Sequence, residues 1–211
     1  MSNLPLPPRG STDDQALASL LEQLRTDDYA VVCDLVPPEL VDSLFVELKS
    51  LSPSEFKQAG IGRQQDFQLN RFVRSDQICW ITSGTPAGGA FLTWIETLRQ
   101  NLNRHLLLGL FGYECHYAHY PKGAFYKTHR DAFKGQANRV LSTVLYLNPQ
   151  WGPADGGELE LFDDSGVQRL ASIAPKYGKL VVFLSEEFPH QVLAAQRERY
   201  SIAGWFRLRN L

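Results

Sequence analysis

Two histidines and one aspartate are the residues of this chain whose types and spacing best support metal chemistry. His129 and Asp131 form an H-x-D pair, and His190 follows near the C-terminus. Two imidazoles and one carboxylate are the ligand set that binds a non-haem ferrous ion on one face and leaves other positions open. Arg199 follows nine residues after His190, and Ser201 comes two residues later. Because a guanidinium can hold an anionic co-substrate beside such an ion, the set predicts an oxygenase.

Strand ends are the predicted positions of these ligands. The H-x-D spacing suits a strand edge, since residues i and i+2 of a strand point the same way. Further strands are predicted over residues 29–35, 139–148, 156–162, 179–184 and 200–206. Helices are predicted to start at Ser11, at Pro37–Pro38 and near Gly88–Gly89, and residues 53–70 predict a loop or weak hairpin. Helices first and strands afterwards favour an α+β domain whose catalytic half is a double-sheet barrel.

Composition narrows the class of protein. The 211 residues are enough for one domain, and a net charge of −2 argues against a general polyanion binder such as a nucleic-acid protein. Three widely spaced cysteines do not describe a disulfide framework, so a cytoplasmic protein is predicted. The apolar runs are too short to cross a membrane. Residues 1–11 are proline-rich and predict a flexible tail.

Several short motifs together resemble the 2-oxoglutarate- and Fe(II)-dependent dioxygenases. They are His129-x-Asp131, Tyr146-Leu147-Asn148, Gly156-Gly157-Glu158-Leu159, Pro189-His190-x-Val192, Arg199-Tyr200-Ser201-Ile202 with Trp205, and upstream Arg74-Ser75-Asp76-x-Ile78-x-Trp80-Ile81. Within the superfamily the chain is similar to the prolyl 4-hydroxylase group, above all to oxygen-sensing protein prolyl hydroxylases and their bacterial relatives. The resemblance implies a double-stranded β-helix (jelly-roll) core flanked by N-terminal helices. It also implies one domain over residues 12–211, with helical support over 12–108 and the catalytic core over 110–207.

The resemblance implies an activity and a set of cofactors. A C–H bond, most simply that of a prolyl residue in a protein substrate, would be hydroxylated while 2-oxoglutarate is decarboxylated to succinate and CO2. The cofactors and co-substrates would be Fe(II), 2-oxoglutarate, O2 and ascorbate. His129, Asp131 and His190 would be the catalytic metal ligands, and the presence of Asp131 favours hydroxylation over halogenation.

Other residues are assigned by their match to the family's positions. Arg199 would bind the distal carboxylate of 2-oxoglutarate, assisted by Ser201 and Tyr146. Tyr120 matches a further tyrosine that contacts 2-oxoglutarate, and Tyr126 is the alternative, because the spacing from Tyr120 to His129 is one residue short. The remaining assignments concern the protein substrate: a closing loop with Arg63 and Gln64, an Asp76–Arg139 pair that ties this loop to the barrel, and Trp205 at the mouth.

Alternatives to prolyl hydroxylation stay open at this point. The same cofactors could act on another amino acid or a small metabolite, or the barrel could bind a metal without redox chemistry. Nucleic-acid demethylation is disfavoured, because Trp205 stands where those enzymes carry a second arginine. Cys115-His116-x-x-His119 has a spacing close to that of zinc ligands, but on a strand His116 would face the barrel interior and His119 the opposite side.

Overall fold

A computed structural model describes residues 11–58, 74–132 and 138–209 of the chain. Its three helices are α1 (Ser11–Thr26), α2 (Pro38–Ser50) and α3 (Pro86–Leu106). Its strands are β1 (Tyr29–Val32), β2 (Lys57–Gln58), β3 (Gln77–Trp80), β4 (Gly112–Tyr120), β5 (Tyr126–His129), β6 (Arg139–Tyr146), β7 (Leu159–Phe162), β8 (Arg169–Ile173), β9 (Leu180–Leu184), β10 (His190–Val192) and β11 (Arg199–Arg207).

Local sequence signals explain where the helices begin and which face they bury. Thr85 caps α3 by accepting a hydrogen bond from the Gly88 amide at 3.2 Å, and Pro86 occupies the first helical turn. The helix therefore begins two residues earlier than the predicted glycine pair. Apolar residues at helical spacing are buried on one face of α3, among them Phe91 and Ile95.

Two antiparallel sheets face each other and form the barrel. The larger sheet has the strand order β1-β9-β6-β11-β4-β3-β2, and the smaller one has the order β5-β10-β7-β8. Tyr120, Tyr146 and Phe183 of the larger sheet pack with Leu159 and Leu161 of the smaller sheet in the barrel interior. The three helices cover the outer face of the larger sheet through a second apolar cluster. The α+β class and the jelly-roll core are confirmed.

The predicted elements differ from the structure mainly at their ends. Residues 53–55 form a short 3-10 turn, and β2 pairs with β3 where only a loop or weak hairpin was expected. Helix α1 begins at Ser11, the predicted helix start, so the predicted tail does not include this residue; residues 1–10 and 59–73 lie outside the described part. Within the described residues, no helix is both long and apolar enough to span a bilayer.

Candidate active site

The pairing of β5 with β10 brings the three predicted metal ligands together. His129 ends β5, His190 begins β10, and the two residues are direct cross-strand partners with ring centroids 4.2 Å apart. Asp131 follows two residues after His129 and lies 3.6 Å from its Nε2 and 3.7 Å from the Nε2 of His190. One donor atom from each of the three lies within 4.8 Å of the others, so they can share one ion.

Backbone carbonyls orient both imidazoles of this triad. The Nδ1 of His129 lies 2.8 Å from the Lys127 carbonyl oxygen, and the Nδ1 of His190 lies 3.0 Å from that of Phe188. A carbonyl can only accept, so each Nδ1 is the donor and each Nε2 keeps its lone pair for a metal. Burial and the neighbouring His129 lower the pKa of His190 to about 4, which keeps this ring neutral.

Asp131 is the charged member of the triad. Burial raises the pKa of its carboxyl group, but His190, His129 and a hydrogen bond from Ser142 together hold that pKa well below its usual range. The Ser142 hydroxyl donates to Asp131 Oδ2 at 2.6 Å. Two imidazoles and one ionised carboxylate suit Fe(II).

Arg130, between the first two ligands, ties three loops together. Its Nη1 donates to the carbonyl oxygens of Glu186 and Glu187 at 2.6 and 2.7 Å. Its Nη2 donates to the carbonyl oxygen and Oδ1 of Asp164 at 2.6 and 2.7 Å. The turn between His129, at the end of β5, and Asp131 is thereby fixed to the segment that leads into His190.

Arg199 is a buried cation in the wall of the barrel. Its side chain is among the largest fully buried ones, and its Nε donates to the Gly157 carbonyl oxygen at 2.8 Å. Among the residues that the structure describes, no carboxylate forms an ion pair with it. An unpaired buried charge is costly, so this guanidinium suits an anionic ligand that binds in the barrel.

Strand register surrounds Arg199 with the other predicted co-substrate residues. Tyr120 is its partner on β4, and Tyr146 on β6 is the partner of Ser201. The guanidinium carbon lies 5.0 Å from the Tyr120 ring centre and 5.1 Å from that of Tyr146. Ser201 is buried on the same face of β11 as Arg199.

The Tyr146 hydroxyl is a second sign of a polar ligand. It is buried and has no hydrogen-bond partner among the described residues. Burial raises the pKa of Tyr146 to about 12 although Arg199 acts against this rise, so the phenol stays protonated and can donate. An unpartnered hydroxyl beside an unpaired guanidinium fits one carboxylate of 2-oxoglutarate.

Tyr126 contacts the metal ligand His129 and the cation Arg74. Its ring stacks on His129 with centroids 3.5 Å apart and planes 15° apart, and Arg74 covers its ring with a guanidinium carbon 4.6 Å from the ring centre. Of the two tyrosines considered for the co-substrate, the structure therefore brings Tyr120 to Arg199.

The expected Asp76–Arg139 pair does not form, because each residue has a nearer partner. Asp76 is fully buried and binds the Nε of Arg74 at 2.6 Å. Arg139 binds Glu114 at 2.8 Å, and its guanidinium carbon lies 3.8 Å from the Trp205 ring centre. Trp205 is buried and its indole N–H has no partner among the described residues.

Arg63 and Gln64, predicted to contact the substrate, lie outside the described residues. His116 and His119 point to opposite faces of β4 as expected. His116 is buried against Trp205, with ring centroids 5.5 Å apart. His119 stacks on Tyr200, with ring centroids 4.8 Å apart, and contacts Glu198.

Three residues that support the site were not predicted: Ser142, Ser185 and Arg130. Each acts through a partner distant in sequence, which periodicity cannot reveal. Gly157 was noted only as part of a motif. Its φ of +72° and its carbonyl bond to Arg199 give it a specific role, for which the Gly156–Gly157 pair was the available signal.

Comparison with known proteins agrees with this geometry. Residues 115–207 match the family model described as 2OG-Fe(II) oxygenase superfamily. The crystal structure of a Pseudomonas putida prolyl-4-hydroxylase is similar with a TM-score of 0.81 and 40% identity, covering 92% of this chain and 100% of that one.

More distant relatives extend the similarity. Mouse (Mus musculus) Egl nine homolog 1 is 28% identical over 200 residues, which are 90% of this chain and 49% of that protein. The chain thus spans about half the length of the curated relatives it matches first. A Trichoplax adhaerens prolyl hydroxylase, solved in complex with a hypoxia inducible factor peptide fragment, shares the fold with a TM-score of 0.78 and 23% identity, covering 93% of this chain and 90% of that one.

Proposed function

Because the chain belongs to the 2OG-Fe(II) oxygenase superfamily, we propose that it is an Fe(II)- and 2-oxoglutarate-dependent hydroxylase of prolyl residues in a protein or peptide. The observation that carries this proposal is the buried, unpaired Arg199 in the same barrel as the His129–Asp131–His190 triad. The likeness to a prolyl-4-hydroxylase over that chain's whole length supports the choice of substrate class.

The triad would hold the iron, and Arg199 would hold the distal carboxylate of 2-oxoglutarate. When bound, the iron and 2-oxoglutarate supply an oxidation in which one atom of O2 enters a substrate C–H bond and the other enters succinate, with release of CO2. Both Nε2 atoms are kept available by the carbonyl contacts of the two Nδ1 atoms. Each ring thus presents Nε2 to a metal without turning over in its site.

The wall around Arg199 would select a dicarboxylic acid. A guanidinium offers two parallel N–H groups to a carboxylate, and the Tyr146 hydroxyl is free to donate a third hydrogen bond. Ser201 and Tyr120 line the same wall. Burial of this wall excludes water, which strengthens the charge-assisted bonds.

The proposal extends to the domain, the substrate loop, ascorbate and the cellular location. Residues 12–211 would form a single catalytic domain, with Arg63 and Gln64 in a loop that closes over the substrate. A peptide substrate is supported by the Trichoplax adhaerens neighbour, which binds one. Ascorbate would maintain the ferrous state. A cytoplasmic location is supported by the absence of disulfides among the three cysteines.

Succinate formation from 2-oxoglutarate, dependent on Fe(II) and ascorbate, tests the proposal. His129→Ala and Asp131→Ala should each abolish turnover while circular dichroism stays unchanged. His105→Ala removes an exposed histidine of α3 and should keep parental turnover. Unchanged turnover in either triad variant would contradict the metal assignment.

The substrate class is tested separately. The enzyme is incubated with lysate from its own host, and mass spectrometry searches for a prolyl residue heavier by about 16 Da, the mass of one inserted oxygen atom. Turnover of 2-oxoglutarate with a mark on another residue type would keep the chemistry and overturn the prolyl assignment.

A further inference from the structure

A serine pair lies directly behind the Asp131 carboxylate. Ser142 is on β6, inside the larger sheet, and Ser185 follows β9, the neighbouring strand. Both side chains are buried, with 1% and 0% exposure. Their hydroxyl oxygens lie 2.9 Å apart, and that of Ser142 lies 2.6 Å from Asp131 Oδ2.

The hydrogen bonds of this pair can run in one direction only. An ionised carboxylate accepts and cannot donate, so Ser142 gives its single hydroxyl hydrogen to Asp131. The Ser142 oxygen is then the acceptor in the bond with Ser185, which must be the donor. The Ser185 backbone is itself fixed, because its amide donates to the Val140 carbonyl oxygen at 2.9 Å.

The two carboxylate oxygens of Asp131 have different hydrogen-bonding environments. Oδ2 accepts the short, charge-assisted bond from Ser142. Oδ1 lies 3.6 Å from His129 Nε2 and Oδ2 lies 3.7 Å from His190 Nε2, so both oxygens border the metal site, but the Ser142 hydroxyl donates to Oδ2 alone. Oδ1 is therefore the oxygen with its full donor strength available to a metal.

We propose that Ser142 is a positioning residue that confines Asp131 to binding the metal through one oxygen, and that Ser185 fixes the direction of the Ser142 hydroxyl. This inference rests on the proposed function, because it concerns the same metal site. It adds two residues that act through Asp131.

The number of metal positions that the Asp131 carboxylate occupies decides how many remain for the co-substrates. In a six-coordinate ion, two imidazoles and a one-oxygen carboxylate leave three positions, two for 2-oxoglutarate and one for dioxygen. A carboxylate that binds the metal through both oxygens would occupy the position needed for dioxygen. Loss of the Ser142 hydroxyl should therefore impair the use of dioxygen more than the binding of 2-oxoglutarate.

The test compares Ser142→Thr with Ser142→Val, which have nearly the same shape and differ in the hydroxyl group. Near-ultraviolet circular dichroism and thermal unfolding establish that both variants fold. Anaerobic titration with Co(II) gives metal affinity and an absorption spectrum that reports coordination. Consumption of 2-oxoglutarate at varied oxygen then gives the apparent KM for O2.

Ser142→Val should raise the apparent KM for O2 about tenfold and change the Co(II) spectrum, the usual size of effect for a partner of a metal ligand. Ser142→Thr should keep the parental spectrum and oxygen dependence. Ser185→Ala should shift both readouts in the same direction as Ser142→Val, by less, and provides the test if the valine variant does not fold.

Three outcomes would overturn the proposal. Parental behaviour of Ser142→Val would show that the hydroxyl is not needed. Equal impairment of the threonine and valine variants would show that side-chain size matters instead. In both cases the parent protein must bind Co(II) and turn over 2-oxoglutarate, which shows that the proposed function itself holds. If the parent binds no Co(II), the metal centre and this proposal are both wrong.

Discussion

A single buried guanidinium distinguishes this barrel from a generic metal-binding one. Arg199 has one hydrogen bond, to the Gly157 carbonyl, and no carboxylate partner among the described residues. Such an arrangement contributes little to the stability of the ligand-free protein, because a buried charge without a counter-ion is unfavourable. Its benefit appears when an anion binds.

Arg199→Met should separate ligand binding from stability. The variant keeps an apolar stem in the wall and removes the charge, so the 2-oxoglutarate concentration for half-maximal turnover should rise at least about tenfold. The free energy of unfolding of the ligand-free protein should change by only about 1 kcal/mol, since the lost hydrogen bond and the removed buried charge oppose each other. Titration of 2-oxoglutarate and urea unfolding measure the two quantities; an unchanged 2-oxoglutarate requirement would contradict the assignment.

Gly157→Ala tests whether the glycine shapes the Arg199 pocket. A Cβ there would lie 2.9 Å from the Ala195 Cβ and 3.2 Å from the Arg199 Cδ, at a φ of +72°. We expect a loss of stability and a higher 2-oxoglutarate requirement, because the guanidinium must move. Gly178→Ala is a matched control, with a φ of +73° and nothing within 4 Å of the added carbon.

The control should lose about 1–2 kcal/mol from the positive φ alone and keep its affinity for 2-oxoglutarate. Equal 2-oxoglutarate requirements in the two glycine variants would show that Gly157 does not position Arg199. Thermal unfolding and turnover at varied 2-oxoglutarate give both comparisons.

At the scale of elements, the site depends on how β5 and β10 are held in register. Their pairing makes His129 and His190 direct partners, but these strands have only four and three residues. Short strands of this kind need support from outside the ladder. Arg130 supplies it through four hydrogen bonds to the loops at Asp164 and residues 186–187.

Arg130→Met should loosen this support while leaving every metal ligand in place. We expect the affinity for Co(II) to fall about tenfold, as for other residues that orient metal ligands indirectly. Arg25→Met, a half-exposed arginine of α1, is the control and should keep parental affinity. Equal Co(II) affinities of Arg130→Met and the parent in anaerobic titration would show that the strand pairing suffices by itself.

The elements also show what local sequence could predict. Alternation along a strand is a local property, so the common face of Arg199 and Ser201 on β11 was predictable, whereas Asp131 lies in a bend two residues past the end of β5 and not on the strand that the H-x-D spacing suggested. The helix-start signals likewise predicted where the three helices begin, to within two residues. Strands β2 and β3, of two and four residues, are too short to give such a pattern.

Contacts between distant elements were not predictable in the same way. The carbonyl oxygens that Arg130 reaches belong to loops more than thirty residues away. The Asp76–Arg139 pair, inferred from resemblance, fails because strand register places Glu114 near Arg139, while Arg74 stands two residues from Asp76. The strand register determines which cation pairs with which carboxylate, and this register cannot be read from the sequence alone.

At the scale of the whole molecule, the two sheets enclose an interior in which several buried polar groups are available to a ligand. Among the described residues, Arg199 has no carboxylate partner and the Tyr146 hydroxyl has no hydrogen-bond partner, and the triad places three donor atoms around one point. A ligand that satisfies these groups binds the folded state and not the unfolded chain. Metal and 2-oxoglutarate should therefore stabilise the fold together, each depending on the other.

Mn(II) and 2-oxoglutarate added without oxygen should raise the unfolding temperature of the metal-free protein. At one hundred times the dissociation constant, a ligand adds about 2.7 kcal/mol, which corresponds to roughly 5–10 °C for a domain of this size. EDTA should reverse the shift, and 2-oxoglutarate alone should give much less of it, because its 2-oxoacid end then has no metal. His190→Ala should lose the response to both additions, whereas His105→Ala should keep it. A full response to 2-oxoglutarate in EDTA would mean that Arg199 and its neighbours bind the dicarboxylate without the triad, and the coupling inferred from the geometry would be wrong.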